Sequence, residues 1–352
     1  MRRHVFAAAV LSLLVLTACE SESSPPGPPP PAPQSPAPPS SRASRGDGAE
    51  LLYRGGGRAS AQNPAFSPDG TSLLFTLFQG GYNDGAASLR VLPLTGGGHP
   101  GRPDTLLEDR DKAAVNLPGS SWHPSAGVAF ASDRAGARDE VWVLPPGGRP
   151  TRVTEHDGDS GYLEPSFSPD GQWIVFQESK EKEGKEDEAR GRARTVHGSI
   201  WKVRKDGSEA TRLIDGPATG SDNRQPNWSP QGDRLVFQRR AQQGDDWALY
   251  VMNADGSGLR RLTDGPGEHT DASWSPDGRS VVYSSTGGGL DLPQIFVTGA
   301  DGGRPVRVTR NDKSYDGAPS WSPDGRWIAF ESHAGDDDAP ASLWRIPAPG
   351  SH

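Results

Sequence analysis

The chain has 352 residues, and 45 acidic against 37 basic side chains give it a formal net charge of -8. That balance argues against nucleic acid as a partner, because a polyanion requires a basic surface. With 45 Gly, 34 Pro, 32% hydrophobic residues and a mean hydropathy of -0.68, a helical bundle and a multi-span membrane protein are both excluded. What remains is a turn-rich β protein.

At the N-terminus Arg2 and Arg3 precede the apolar run from Val5 to Leu16, too short to span a bilayer and of the length found in secretory signals. The run ends in Leu16-Thr17-Ala18-Cys19, which resembles a bacterial lipobox, and Cys19 is the single Cys of the chain. A lone Cys forms no internal disulfide, so lipidation is its natural use. Residues 1–18 are therefore expected to be a lipoprotein signal peptide, with Cys19 as the lipidation site and several acyl chains holding the protein on a membrane. From 19 to 48 the chain is low in complexity, and the stretch from Pro25 to Pro39 holds ten prolines. That composition favours an extended, disordered tether. The expected location is a bacterial cell envelope, on the periplasmic or extracytoplasmic face.

Beyond residue 60 one unit recurs. Its markers are Phe66-Ser67-Pro68-Asp69-Gly70, Trp122-His123-Pro124, Phe167-Ser168-Pro169-Asp170-Gly171, Trp228-Ser229-Pro230-Gln231-Gly232, Trp274-Ser275-Pro276-Asp277-Gly278 and Trp321-Ser322-Pro323-Asp324-Gly325. The aromatic leaders are spaced by 56, 45, 61, 46 and 47 residues, the range of four-stranded propeller blades. Pro at the second turn position and Gly at the fourth suit a type I turn between strands. Apolar β-rich segments follow each turn, as in Leu73-Leu74-Phe75 and Val281-Val282-Tyr283. The sixth unit ends without a fourth strand, and Glu50-Leu51-Leu52-Tyr53-Arg54 supplies a β-like segment ahead of the first. The reading is an all-β, six-bladed β-propeller of four-stranded antiparallel blades over residues 49–349, its ring closed by an N-terminal strand.

These repeated turns, with local matches such as Ser132-Asp133-Arg134 and Asn253-Ala254-Asp255-Gly256, resemble the TolB-like propeller family over about 300 residues. The resemblance implies a non-enzymatic protein that captures an envelope protein or peptide at the channel mouth, such as a peptidoglycan-associated lipoprotein, in envelope integrity or transport. The family's α/β domain ahead of the propeller is replaced here by the proline-rich tether.

Recurrence of this turn in all six units, as Ser-Pro in five and His123-Pro124 in the second, marks it as structural, since catalysis needs one asymmetric site. A G-x-S-x-G nucleophile elbow, a phosphate loop and an H-E-x-x-H pair are all missing from the sequence, and His99, His123, His156, His197, His269 and His333 are scattered. The expectation is no cofactor and no metal, with a hydrolase or lyase carrying a metal in the central channel as the alternative. Acidic runs at 157–159 and 336–338 read as solvated loops, and the charged stretch 180–190 as an inserted hairpin extension. The loops leading into each inner strand are where a partner is expected, and they vary between repeats. They carry Asn63, Asn116, Glu164, Arg224, Gln225, His269, Asp271 and Asp316. Arg224 would pair with a carboxylate, and Glu164, Asp271 and Asp316 with basic groups or amides. A monomer is expected.

Overall fold

The computed structural model describes residues 43–95, 99–109, 112–136, 138–155, 160–180, 197–242, 245–335 and 339–350. The signal segment, Cys19, the proline-rich stretch, both acidic runs and the charged insertion from 181 onward lie outside these residues.

Six antiparallel sheets form a ring, and in five of them the strands follow in sequence order from the channel outward, while the outermost strand of the sixth comes from the start of the propeller. The inner strands of blades 1, 3, 4, 5 and 6 are Ser60–Phe66, Ser160–Phe167, Asp222–Trp228, His269–Trp274 and Tyr315–Trp321. In blade 2 this strand is split into Ala114–Val115 and Trp122–His123, both paired to Gly127–Ser132. Pro118 and Gly119 fall in the interruption, and a proline has no N–H for a ladder. The second strands, such as Ser72–Phe78 and Arg234–Arg240, are buried on both faces because each blade lies between two others. Hydrophobic clusters therefore cross blade boundaries: Val175 and Ile200 of blade 3 pack with Trp228, Leu235 and Phe237 of blade 4.

Ring closure follows the sequence expectation. Glu50–Arg54 pairs antiparallel with Ser342–Pro347, so the last blade is completed by the start of the propeller. Leu52 joins Leu343 of that blade and Leu73 and Phe75 of blade 1 in one core. The Arg345 guanidinium donates to the Glu50 carboxylate at 3.0 and 2.8 Å. The fold also begins earlier than position 49: Ser44 bridges to Glu50, and Arg45 reaches across blade 6. Composition alone places these residues in the tether, because the contacts that order them come from residues 314–332.

Candidate functional site

The channel has two ends. Where the inner strands finish, the Ser-Pro turns close as expected, with the Gly N–H donating to the Ser carbonyl at 2.8 to 2.9 Å in blades 1, 3, 4, 5 and 6. The Ser hydroxyl donates to Asp69, Asp170, Asp277 and Asp324 at 2.5 to 2.6 Å, and to Asp233 at 2.8 Å in blade 4, where Gln231 stands at the usual Asp position. That hydroxyl bond holds Asp69, Asp170 and Asp277 below the usual carboxylate range. Neighbouring turns lie side by side, and a Cβ on Gly70, Gly232 or Gly325 would sit 3.6, 3.5 or 3.6 Å from the proline of the preceding turn. His123 does in blade 2 what the Asp does elsewhere: Nδ1 accepts from Ala126 N at 3.1 Å while Nε2 bonds the Pro169 carbonyl at 3.1 Å. The aromatic leaders and turn prolines line a cavity of about 250 Å³ at this end.

Where the inner strands begin, the pattern changes. Residues expected in connecting loops are instead part of the strands, except Asn116 in the interruption of blade 2, and each of the five continuous inner strands carries a bulge. At the bulge sit Asn63, Glu164, Gln225, Asp271 and Ala318, with φ of 55, 55, 53, 55 and 47°. A non-glycine residue in this region costs about 1–2 kcal/mol. The cost is offset because the bulge turns an N–H toward the preceding blade, where a side chain receives it. Asn63 N donates to Glu331 at 2.9 Å, Gln225 N to Glu164 at 3.0 Å and Asp271 N to the Gln225 side chain at 3.1 Å. Gln177 and Gln238 accept from the same N–H groups of Gln225 and Asp271 at 3.2 and 3.1 Å. Asn116 adds a link from blade 2 to blade 1, donating to the Asn63 carbonyl at 2.8 Å and accepting from Thr76 at 2.8 Å. The channel wall is a hydrogen-bonded collar running from blade to blade.

Burial raises the acids of this collar, and the Asp271 charge adds to it: Glu164 and Glu331 are each pushed up to about 7, and Asp271 itself is raised by burial. Opposing this, Arg224 favours the ionised Glu164, and the Asn63 N–H and Tyr82 hydroxyl favour the ionised Glu331. Tyr82 comes from the hairpin loop of blade 1 and donates to Glu331 at 2.7 Å, beside Tyr315 and His333.

The remaining sequence-predicted residues are distributed around this collar. The Asp316 carboxylate, fully buried, is clamped by both terminal nitrogens of Arg45 at 2.9 and 2.8 Å. Arg224 pairs with Asp222 of its own strand at 2.7 Å and lies over Trp247, which Arg240 covers as well, at 5.0 and 4.6 Å from the ring centre. His269 stands away from the channel, against Ser285 and Tyr283. Arg45, Tyr82, Trp247 and Glu331 join the site without having been singled out from sequence. The partners of Arg45, Tyr82 and Glu331 are far away along the chain, those of Trp247 lie in its own blade, and only a register shared with the other repeats could have pointed to Glu331. Among the described residues no three His, Cys, Asp or Glu side chains gather closely enough to hold a metal ion.

Six blades, the Ser-Pro turns and the strand-exchanged closure define a TolB-like six-bladed β-propeller. A family model described as the TolB beta propeller domain matches residues 212–341. Protein Atu1656 of Agrobacterium fabrum is 31% identical over 212 residues, covering 56% of this chain and 62% of its own length. The crystal structure of TolB from Acinetobacter baumannii superimposes with a TM-score of 0.53 at 17% identity, covering 80% of this chain and 65% of that one. This chain thus spans less than two thirds of each. An oligogalacturonate lyase in complex with manganese shares the fold at a TM-score of 0.54 and 15% identity, over 88% of this chain and 95% of the lyase. Since the fold is shared with an enzyme, function has to be argued from the site.

Proposed function

We propose that the protein is a lipid-anchored cell-envelope component that binds a protein or peptide at the channel end where the inner strands begin, and that it acts by recognition without catalysis. The observation that carries this reading is the differentiated collar: one backbone position, repeated in five blades, presents Asn63, Glu164, Gln225, Asp271 and Ala318. A rigid frame with a different side chain at each step, four of them hydrogen-bonding and one apolar, suits recognition of one asymmetric partner. The rim adds Trp247 between two arginines, the residue types that dominate binding hot spots. The likeness to TolB propellers makes a peptidoglycan-associated lipoprotein the first partner to test.

The buried acids of the collar are already engaged within the protein, so the rim is the place to disrupt binding. The double variant Arg224→Gln, Trp247→Ala, in which Gln can still donate to Asp222, is expected to stay folded with a lowered melting temperature and to lose the partner that the full-length wild-type protein retains from solubilised envelope. Retention of the same partner by a folded double variant would remove the mouth as the binding site.

A further inference from the structure

Each blade from 2 to 6 carries an aromatic pair across its second and third strands: Phe130 with Trp142, Phe176 with Trp201, Phe237 with Tyr250, Tyr283 with Phe296 and Phe330 with Trp344. In four of the five an arginine of the chain lies over the pair. Arg134 is 5.3 Å from both rings in blade 2, and Arg45 is 5.3 Å from both in blade 6. Arg212 stands 5.5 Å from Trp201, and Arg239 stands 5.5 Å from Tyr250. In blade 5 Arg307 faces Phe296 as Arg212 faces Trp201, but its guanidinium bonds Gln294 and Asp312, and no described Arg or Lys lies over the Tyr283 and Phe296 pair. There the structure has a cavity of about 290 Å³, lined by Leu262, Pro266, His269, Tyr283, Ser285 and Phe296.

The strand register explains the vacancy. In blade 6 Asp316 faces Ser332, and both accept from Arg45, the serine at 3.2 Å. In blade 4 the same two places hold Asn223 and Arg239, with the arginine donating to the amide at 3.2 Å. In blade 5 they hold His269 and Ser285, whose Nδ1 and Oγ are 2.8 Å apart. His269 is buried, with Nδ1 at Ser285 and the Gly265 carbonyl beside its ring. Burial and the Arg261 charge keep its ring below the usual imidazole value, against the pull of Asp246 and the Gly265 carbonyl. A neutral imidazole does not repel a cation. Asp264, an exposed residue, is among those lining the cavity, so a counter-charge stands near a bound cation, as Asp316 does for Arg45 and Asp109 for Arg134.

We propose that this cavity is a receptor for a guanidinium group, the side chain of an arginine presented by a peptide or protein partner, and that it reproduces between molecules the contact the other blades make within the chain. Planar guanidinium stacked on aromatic faces with a carboxylate beside it is the recognition chemistry involved. The site lies beside the middle strands of blade 5, and its test does not depend on what binds at the channel mouth.

The probe is N-acetyl-L-argininamide, titrated into the full-length protein by calorimetry with the His269 ring proton followed by NMR. Saturable one-to-one binding is expected, with the neutral isostere N-acetyl-L-citrullinamide about tenfold weaker or more. Ser285→Arg plants an arginine where blade 4 has Arg239, so it should abolish binding while the melting temperature stays level or rises. Phe296→Leu, a milder change to a partly exposed ring, should weaken binding about fivefold. Equal affinity for the citrulline compound, no saturation, or full binding by a folded Ser285→Arg protein would each overturn the proposal. Should Ser285→Arg fail to fold, unchanged affinity in Phe296→Leu would do the same.

Discussion

At the end of the channel where inner strands finish, Ser67, Ser168, Ser229, Ser275 and Ser322 make the same two bonds five times over, each donating to a nearby carboxylate and accepting the N–H at the start of the next strand. At the other end, the equivalent bulge positions hold five different residues, and their bonds run between blades instead of within a turn. The first arrangement is local, so each copy can be kept or lost independently. The second is a relay in which a side chain of one blade serves the backbone of the next. Variation in the relay is therefore constrained: the position needs an acceptor, and where Ala318 offers none, Glu331 of the neighbouring strand bonds Asn63 N instead. Differentiation and structural work coexist in the same residues, which lets the collar vary in chemistry without losing rigidity.

The largest difference between the two ends is expected at blade 6. Arg45→Ala leaves the buried Asp316 carboxylate without its cation, and losing one partner of such a pair costs about 3–5 kcal/mol. Chemical denaturation should show that loss, and Asp316→Asn in the same background should restore part of it. A loss no greater than that of a turn serine would mean that the relay end is no more tightly coupled than the repeated end.

The next effect is a pH dependence confined to the relay. Glu331 is pushed up to about 7 by burial first and by the Asp271 charge second. Its folded value lies above its unfolded one, so its contribution to stability is complete below the unfolded value near 4.5 and is lost as pH rises through about 7. Glu331→Gln, which can still accept from Asn63 N, should flatten the fall in stability between those values, a slope of at most about 1.4 kcal/mol per pH unit for one proton. Parallel pH profiles of wild type and variant would show that Glu331 does not titrate in this window.

Much of the fold is legible in the sequence for the reason that separates the two ends. Ser-Pro turns, blade strands and the closing strand are specified by residues adjacent along the chain, and six repetitions average out local exceptions. The bulges were also visible in part, since Pro64, Pro165, Pro226 and Pro319 follow four of the five left-handed residues, though a proline alone does not say which way a side chain points. Hidden from sequence were the long-range pairs. Asp316 reads as a free surface acid until Arg45, 271 positions earlier, is found on it. Arg224 reads as a free cation until Asp222 and Trp247 are placed beside it.

At the repeated end the expected effects are smaller and, above all, equal. Gly232→Ala forces an L side chain to φ of 76° with its Cβ 3.5 Å from Pro169, an ordinary contact, so the cost is the backbone term of about 1–2 kcal/mol. Ser275→Ala removes a hydroxyl that donates to Asp277 at 2.6 Å and accepts from Ser280 N at 2.9 Å, a loss of about 1 kcal/mol, since Ser275 is buried but the Asp277 carboxylate is exposed and water can take the lost bond. Ser168→Ala and Ser322→Ala break the same bonds in other blades and should cost the same within about 0.5 kcal/mol, with double variants additive because the turns share no partner. Asn63→Ala, Glu164→Ala and Gln225→Ala, measured by the same urea titrations, should differ from one another, and Glu164 with Gln225 should be non-additive because the Gln225 side chain also hydrogen-bonds the Glu164 carboxylate. Equal and additive costs at both ends would erase the distinction between a repeated turn and a relay, and with it the reason for placing recognition at the relay end.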